Sequence, residues 1–232
     1  MKIAIMQPYI FPYIGYFQLI KEVDLFVVFD DVNFIKKGWI NRNNFLSNGN
    51  LQRFTIPLKN VSQNKLICET YIDEESGWKE SLLKTILHNY KNAPFYESIF
   101  SLLQKILTGS SSNIALFNYN SIIEISKYLK LDTEFILSSK IEKDLSKKGS
   151  DKILDICKRL GAKEYINAIG GVELYSKENF KEEDIDLRFL QPHSVKYKQF
   201  ENDFVPWLSI IDILMFNSIE DSVKLLNEYT LI

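Results

Sequence analysis

The sequence predicts an α/β fold: a mostly parallel sheet with an inserted antiparallel hairpin region and additional helices. Three observations predict it. Apolar runs at 2–6 and 24–30 flank a helical pattern at 13–22, the spacing of a parallel strand pair with a right-handed crossover. The next stretch holds short strand-like segments joined by turn residues. Beyond residue 133, strands and helices alternate again.

Residues 2–6 are a short apolar run ended by Gln7-Pro8, as a buried strand should be. Pro8 and Pro12 then bracket a loop. Ile14, Phe17, Leu19 and Ile20 have helical spacing within 13–22. Asp24 to Asp30 is apolar through its middle, as a strand buried on both faces is. Asn41–Leu46 and Leu51–Leu58 read as strands joined across Ser47-Asn48-Gly49-Asn50, and Ile67–Ile72 reads as a third. Helices are expected at 76–91, 95–107 and 113–129, with Pro94 separating the first two. The stretch 108–113 is a linker candidate, with Ser112 or Asn113 capping the next helix. Thr133–Leu137 is a strand, and 150–160 a helix stopped by Gly161. Glu164–Asn167 and Leu187–Leu190 are further strands, and helices fit 206–216 and 219–228. Residues 1–108 form an N-terminal α/β part and 109–232 an α/β and helical part, expected to pack as one continuous unit.

The 232 residues are 46% hydrophobic and 25% charged, with nine Gly and six Pro. These are globular values and exclude a disordered or fibrous chain. No apolar run approaches the ~20 residues of a membrane span. The apolar start is too short for a signal peptide, so a cytoplasmic location is expected. Cys68 and Cys157 cannot build a disulfide framework and read as buried free thiols. With two histidines, no metal site is expected. The net charge of −2 does not mark a nucleic-acid binder. Yet Asn33–Ile67 carries Lys36, Lys37, Arg42, Arg53, Lys59 and Lys65 and no acid. Such a field suits an anionic ligand; the plain alternative is a solvated basic face.

Ligands of open parallel sheets bind beyond the carboxyl ends of the strands. That rule points to three loops. The first holds Gln7, Tyr9, Tyr13 and Tyr16 among prolines, a rigid aromatic surface suited to a base or sugar ring. Gly15 there costs about 1 kcal/mol against Ala in a helix, which close approach of a ligand would explain. The second holds Asp30, Asp31, Asn33, Lys36, Lys37, Trp39, Asn41, Arg42 and Asn43. It offers acids for proton transfer, cations for phosphate and an indole for stacking. The third is Asn167-Ala168-Ile169-Gly170-Gly171, where Gly170 and Gly171 can open backbone N–H groups to an anion; a tight turn explains them equally. His88, on a helical pattern, is a further acid–base candidate. Asp212, set among apolar neighbours, needs a hydrogen-bond partner if buried. No nucleotide fingerprint, phosphate loop or nucleophile elbow is present, and the motifs leave the cofactor open.

The blocks Gln7-Pro8 to Tyr16-Phe17, Asp30-Asp31 to Asn43, Tyr165 to Gly171 and Leu208-Ser209-Ile210-Ile211-Asp212 together resemble the WbqC-like family. The resemblance spans almost the whole chain and rests most on the first two blocks. Its members accompany genes for bacterial O-antigen and other surface polysaccharides, which implies work on nucleotide-linked sugars, often amino sugars. It assigns no catalytic residue. Tyr13-Ile14-Gly15-Tyr16 also stands where HIGH-type nucleotidyltransferases, built on a Rossmann-like sheet, place His-x-Gly-His. Tyrosines replace both histidines here, and a neutral phenol holds phosphate less well.

Three functions follow as expectations. The first is transfer of an acyl or aminoacyl group to the amine of a nucleotide-linked amino sugar. Lys36, Lys37 and Arg42 would hold the diphosphate, and Asp30, Asp31 or His88 would take the amine proton. The second is ATP-dependent nucleotidyl transfer or adenylate-forming ligation. The third is a non-catalytic scaffold for other polysaccharide enzymes. A homodimer is one assembly the chain could adopt. Nucleic acid is not expected as a partner, although the 33–67 patch leaves tRNA open as an aminoacyl donor.

Overall fold

Ile3, Ala4 and Ile5 are buried, as are Phe26, Val27 and Val28, and these two runs form the centre of the sheet. β1 (Lys2–Met6) and β2 (Leu25–Val28) pair in parallel, with Ile3 opposite Leu25. α1 (Ile14–Glu22) makes the crossover between them. Every residue from Ile14 to Ile20 is buried, more than one helical face, because other elements cover α1 on several sides. Gln18 shows one of these covers: its Nε2 donates to the carbonyls of Leu225 and Glu228. The computed structural model describes residues 1–109, 111–201 and 203–232. Ser110, inside the 108–113 linker candidate, lies outside the described residues.

β3 (Arg42–Ser47) and β4 (Asn50–Thr55) form the inserted hairpin. Asn48 and Gly49 turn it with φ of +49° and +73°, the left-handed pair that a two-residue hairpin turn needs. β5 (Leu58–Lys59) pairs with β6 (Tyr71–Ile72). The strand expected over Ile67–Ile72 is therefore mostly absent. Ile67–Glu69 is a 3₁₀ turn, because Ile67 N–H and Cys68 N–H donate to the carbonyls of Val32 and Asp30 rather than to a strand. α2 (Trp78–Tyr90), α3 (Tyr96–Thr108) and α4 (Ile114–Tyr128) follow. Asn113 caps α4, its Oδ1 accepting from the N–H groups of Ala115 and Leu116.

The second half adds β7 (Glu134–Leu137), α5 (Gly149–Arg159), β8 (Glu164–Ala168), α6 (Lys177–Lys181) and β9 (Asp186–Pro192). α7 (Ile210–Phe216), α8 (Ile219–Leu225) and β10 (Tyr229–Leu231) end the chain. The main sheet runs β10-β9-β8-β1-β2-β7, parallel throughout except for β10 against β9. Strands from both halves of the chain thus share one sheet. Four further features differ from the sequence reading. The strand expected over Leu51–Leu58 is split, β4 ending at Thr55 and β5 starting at Leu58. α6 was not expected. The helix expected at 206–216 starts at Ile210, because the Ser209 hydroxyl accepts from Ile211 N–H and caps it there. The helix expected to residue 228 stops at Leu225, because the chain turns back to lay β10 on β9. No helix among the described residues is long and apolar enough to cross a membrane.

From β1 the chain adds β2 and then β7 on one side; β8 and β9 go on the other. The order reverses between β1 and β8, the place where an open parallel sheet leaves a crevice at its carboxyl edge. The bend after β1 is irregular, so its carbonyls lack ladder partners and side chains satisfy them. Asn118 Nδ2 donates to the carbonyls of Pro8 at 2.9 Å and Ile40 at 2.7 Å. Asn43 Nδ2 donates to Ile10 and Phe11, at 2.9 and 2.8 Å. The Ser209 hydroxyl also reaches Phe11, at 2.8 Å. Ile10 N–H donates to the Trp39 carbonyl at 3.2 Å. The loops after β1 and β2 are therefore stitched together. Asn118→Ala removes the donor from two buried carbonyls, each worth about 1–3 kcal/mol when orphaned. We expect a loss near 3 kcal/mol in urea denaturation.

Candidate functional site

The stitched loops open a cleft of about 350 Å³ lined by Tyr9, Pro12, Tyr13, Trp39, Asn43, Asn44 and Trp207. That volume is at the lower end of the small-molecule range. Tyr9 and Tyr13 come from the bend after β1, Trp39 from the turn before β3, and Asn43 and Asn44 from β3. Trp207 arrives from the distant segment before α7. Its ring centroid lies 6.1 Å from that of Tyr13.

Two backbone features shape the cleft. Phe11 has φ of +41°, a strained value for a large side chain. The buried donors on its carbonyl hold it there. Trp207 has φ of +62° and is 73% exposed. A bulky residue in that conformation costs on the order of 1–3 kcal/mol, and its ring is not repaid by core burial. Such a cost is characteristic of residues that face a ligand.

The polar equipment is unequal. Asn43 is spent on structure: both amide bonds go to the bend, and its Oδ1 accepts from Asn44 N–H. Asn44 Oδ1 accepts from Arg53 Nε at 3.2 Å. The Arg53 guanidinium lies 6.0 Å from the centre of the Trp39 ring, and no carboxylate pairs with it among the described residues. Burial raises the Tyr13 phenol above its ordinary pKa, and burial together with the Tyr13 neighbour does the same for Tyr9. Both hydroxyls therefore stay protonated as donors. Among the described residues, no carboxylate or imidazole lines the cleft.

Of the residues singled out in the sequence, Tyr9, Tyr13, Trp39 and Asn43 meet here. Others are engaged elsewhere. Tyr16 is buried and donates its hydroxyl to the Gln7 carbonyl at 2.9 Å. Gln7 Oε1 is buried without a hydrogen-bond partner. Gly15 has a local explanation: a Cβ there would stand 2.3 Å from the Tyr13 hydroxyl oxygen, so the glycine makes room for the tyrosine ring and not for a ligand. Arg42 Nε donates to the Gly38 carbonyl, and Asn41 Nδ2 to that of Ile56, both closing their own loop. Asn33 bridges to Leu66. Lys36 and Lys37 are exposed on the turn before Trp39 and do not line the cleft. Asn167 caps its own strand end through Ala168 N–H and packs on Gly171, while Gly170 is exposed; all three lie outside the cleft.

The acids are also committed. Asp30 is buried and accepts from Ser139 N–H at 2.9 Å and from the Ser139 hydroxyl at 2.6 Å, tying the end of β2 to the loop after β7. Asp31 pairs with Lys143 at 2.9 Å and Lys152 at 3.0 Å. Burial opposes its ionisation, but Ser138 and the two ammonium groups outweigh that and hold its carboxyl below the usual range. His88 lies in a separate recess on α2. The structure does not bring Asp30, Asp31 and His88 together. Asp212 is buried as expected and accepts from Tyr90 at 2.7 Å, Tyr197 at 2.6 Å and Gln199 at 2.7 Å. Burial raises its pKa, and these three bonds act against the rise.

Asn44 and Trp207 are the cleft residues that the loop rule misses, with Arg53 beside them on Asn44. Arg53 stood in the acid-free stretch. Nothing local marked Trp207, whose role depends on a contact across the whole chain.

An α/β protein with an aromatic, carboxylate-free cleft beside its crevice is what fold and site define. The chain belongs to the WbqC-like protein family, which matches it over residues 7–224. It is 29% identical over 216 residues to the uncharacterized protein Rv1507c of Mycobacterium tuberculosis (strain ATCC 25618 / H37Rv), covering 92% of each chain. No solved structure matches it.

Two outcomes follow. Gly15→Ala should leave stability within about 1 kcal/mol of the parent, since helix propensity gains what the shifted ring loses. It should move Tyr13 off Trp207, read as a change in tryptophan emission. Asp31→Asn leaves the buried Lys143 without its counter-charge and should cost about 3–5 kcal/mol at pH 7. A depressed native pKa stabilises above the unfolded value, and that stability is lost as the pH falls through the native one. The gap between parent and variant should therefore narrow in acid.

Proposed function

We propose that this protein is an enzyme of surface-polysaccharide biosynthesis that binds a nucleotide-linked amino sugar and transfers an acyl or aminoacyl group to its amine. The observation that carries the reading is the meeting of Tyr9, Tyr13, Trp39 and Trp207 around one cleft with Asn44 and Arg53 at its side. Flat rings pack on a base or pyranose face, and stacked bases are worth about 1–3 kcal/mol each. The cleft has room for one ring, so the rest of the ligand extends past it. Arg53 supplies the planar fork suited to a diphosphate. Lys36 and Lys37, on the turn that carries Trp39, add positive field.

In the transfer, the neutral amine attacks the carbonyl of an activated acyl donor. A C–N bond forms, the bond to the leaving group breaks, and the leaving group takes the amine proton. Tyr9 and Tyr13 stay protonated and serve as donors to the oxygen that becomes negative. The protein then acts by positioning and by hydrogen bonding rather than through a carboxylate base. Family context and the acid-free cleft support this reading together. Calorimetry with UDP- and dTDP-linked amino sugars tests it. We expect binding by the parent and a loss of roughly tenfold or more in Trp39→Ala and Trp207→Ala. Absence of binding to every nucleotide sugar removes the reading.

A further inference from the structure

A second recess adjoins Arg53, between α2 and β4. One part, about 230 Å³, is lined by Arg53, Gln52, Ser81 and Thr85 with Trp78. The next part, about 330 Å³, shares Gln52, Ser81 and Thr85 and continues to Lys84 and His88. Ser81, Thr85 and His88 lie four and three residues apart and so project from one side of α2. β4 contributes four consecutive residues, Gln52 to Thr55. β3 adds Phe45 to the first part and Ser47 to the second.

The recess is chemically one-sided. No Asp or Glu lines either part. No ion pair to a carboxylate is formed by Arg53 or Lys84 among the described residues, so both charges stand unneutralised beside the recess. Two cations and the Ser81 hydroxyl make a donor set in need of acceptors; the Thr85 hydroxyl already donates to the Ser81 carbonyl. A phosphate or diphosphate supplies several acceptor oxygens and the missing negative charge.

We infer that this recess is a second site, for a phosphate-bearing ligand, distinct from the ring-binding cleft and joined to it by Arg53. Arg53 spends Nε on Asn44, which lines the cleft, and also lines the recess. If the transfer proposed above holds, the recess takes the phosphate-bearing donor of the acyl group; the site itself does not depend on that reading.

Calorimetric titration of the intact protein with inorganic pyrophosphate tests it, with UDP-N-acetylglucosamine as the probe of the cleft. Lys84→Glu should weaken pyrophosphate by about tenfold or more, as loss and reversal of a charge-assisted contact does, and change the sugar nucleotide less than about twofold. Tyr13→Ala should show the opposite pattern. Circular dichroism confirms that both variants fold. Parent protein that ignores pyrophosphate, or pyrophosphate binding that Lys84→Glu leaves intact, overturns the proposal. So does equal loss of both probes in both variants, which would mean a single site. Lys84-dependent pyrophosphate binding without sugar-nucleotide binding upholds the recess and removes only the transfer reading.

Discussion

The crevice end of this molecule depends on buried side-chain amides that satisfy backbone carbonyls. The bend after β1 is neither helix nor strand, and it is buried, so its oxygens have neither a ladder nor water. Asn118 and Asn43 supply three of the missing bonds, and Ser209 a fourth; Asn118 also holds the Ile40 carbonyl of the loop after β2. These donors sit on α4, on β3 and at the start of α7. The bend is thus fixed from three directions, and the aromatic rings it carries are fixed with it. A site whose rings are positioned in advance loses less conformational freedom on binding.

Charge is distributed by the same division of labour. The acids beyond β2 hold the loop after β7 and the start of α5, where Asp31 balances two lysines. The cations of the 33–67 stretch have few such partners. Opposite charges are consumed in structure on one side of the crevice, and positive charge is left unspent on the other. With a net charge of −2 for the chain, this asymmetry is invisible to composition; the order of the residues shows the acid-free stretch, and the fold shows which acids are consumed.

The parallel core was legible because its strands are short apolar runs and its first crossover is compact. The hairpin was legible through Asn48-Gly49, and the α4 cap through Asn113. Elements that depend on distant partners were not. β10 has three residues and no pattern of its own; it is extended because β9 offers an edge. Ile67–Glu69 has the apolar look of a strand but turns because the loop after β2 takes its N–H groups. At the site, the tyrosine bend and Trp39 could be read from residue type and loop position. Asp30, Asp31 and Tyr16 share those signals yet serve the fold, because residue type does not reveal which way a side chain points. Trp207 was illegible for the converse reason: its neighbour Tyr13 is almost two hundred positions away.

Tyr13 has one more property. Its ring lies over Gly15, and with Trp207 it also lines a small neighbouring cavity of about 60 Å³. Tyr13 and Trp207 border both spaces, so any change in how these two rings pack alters the two cavities together.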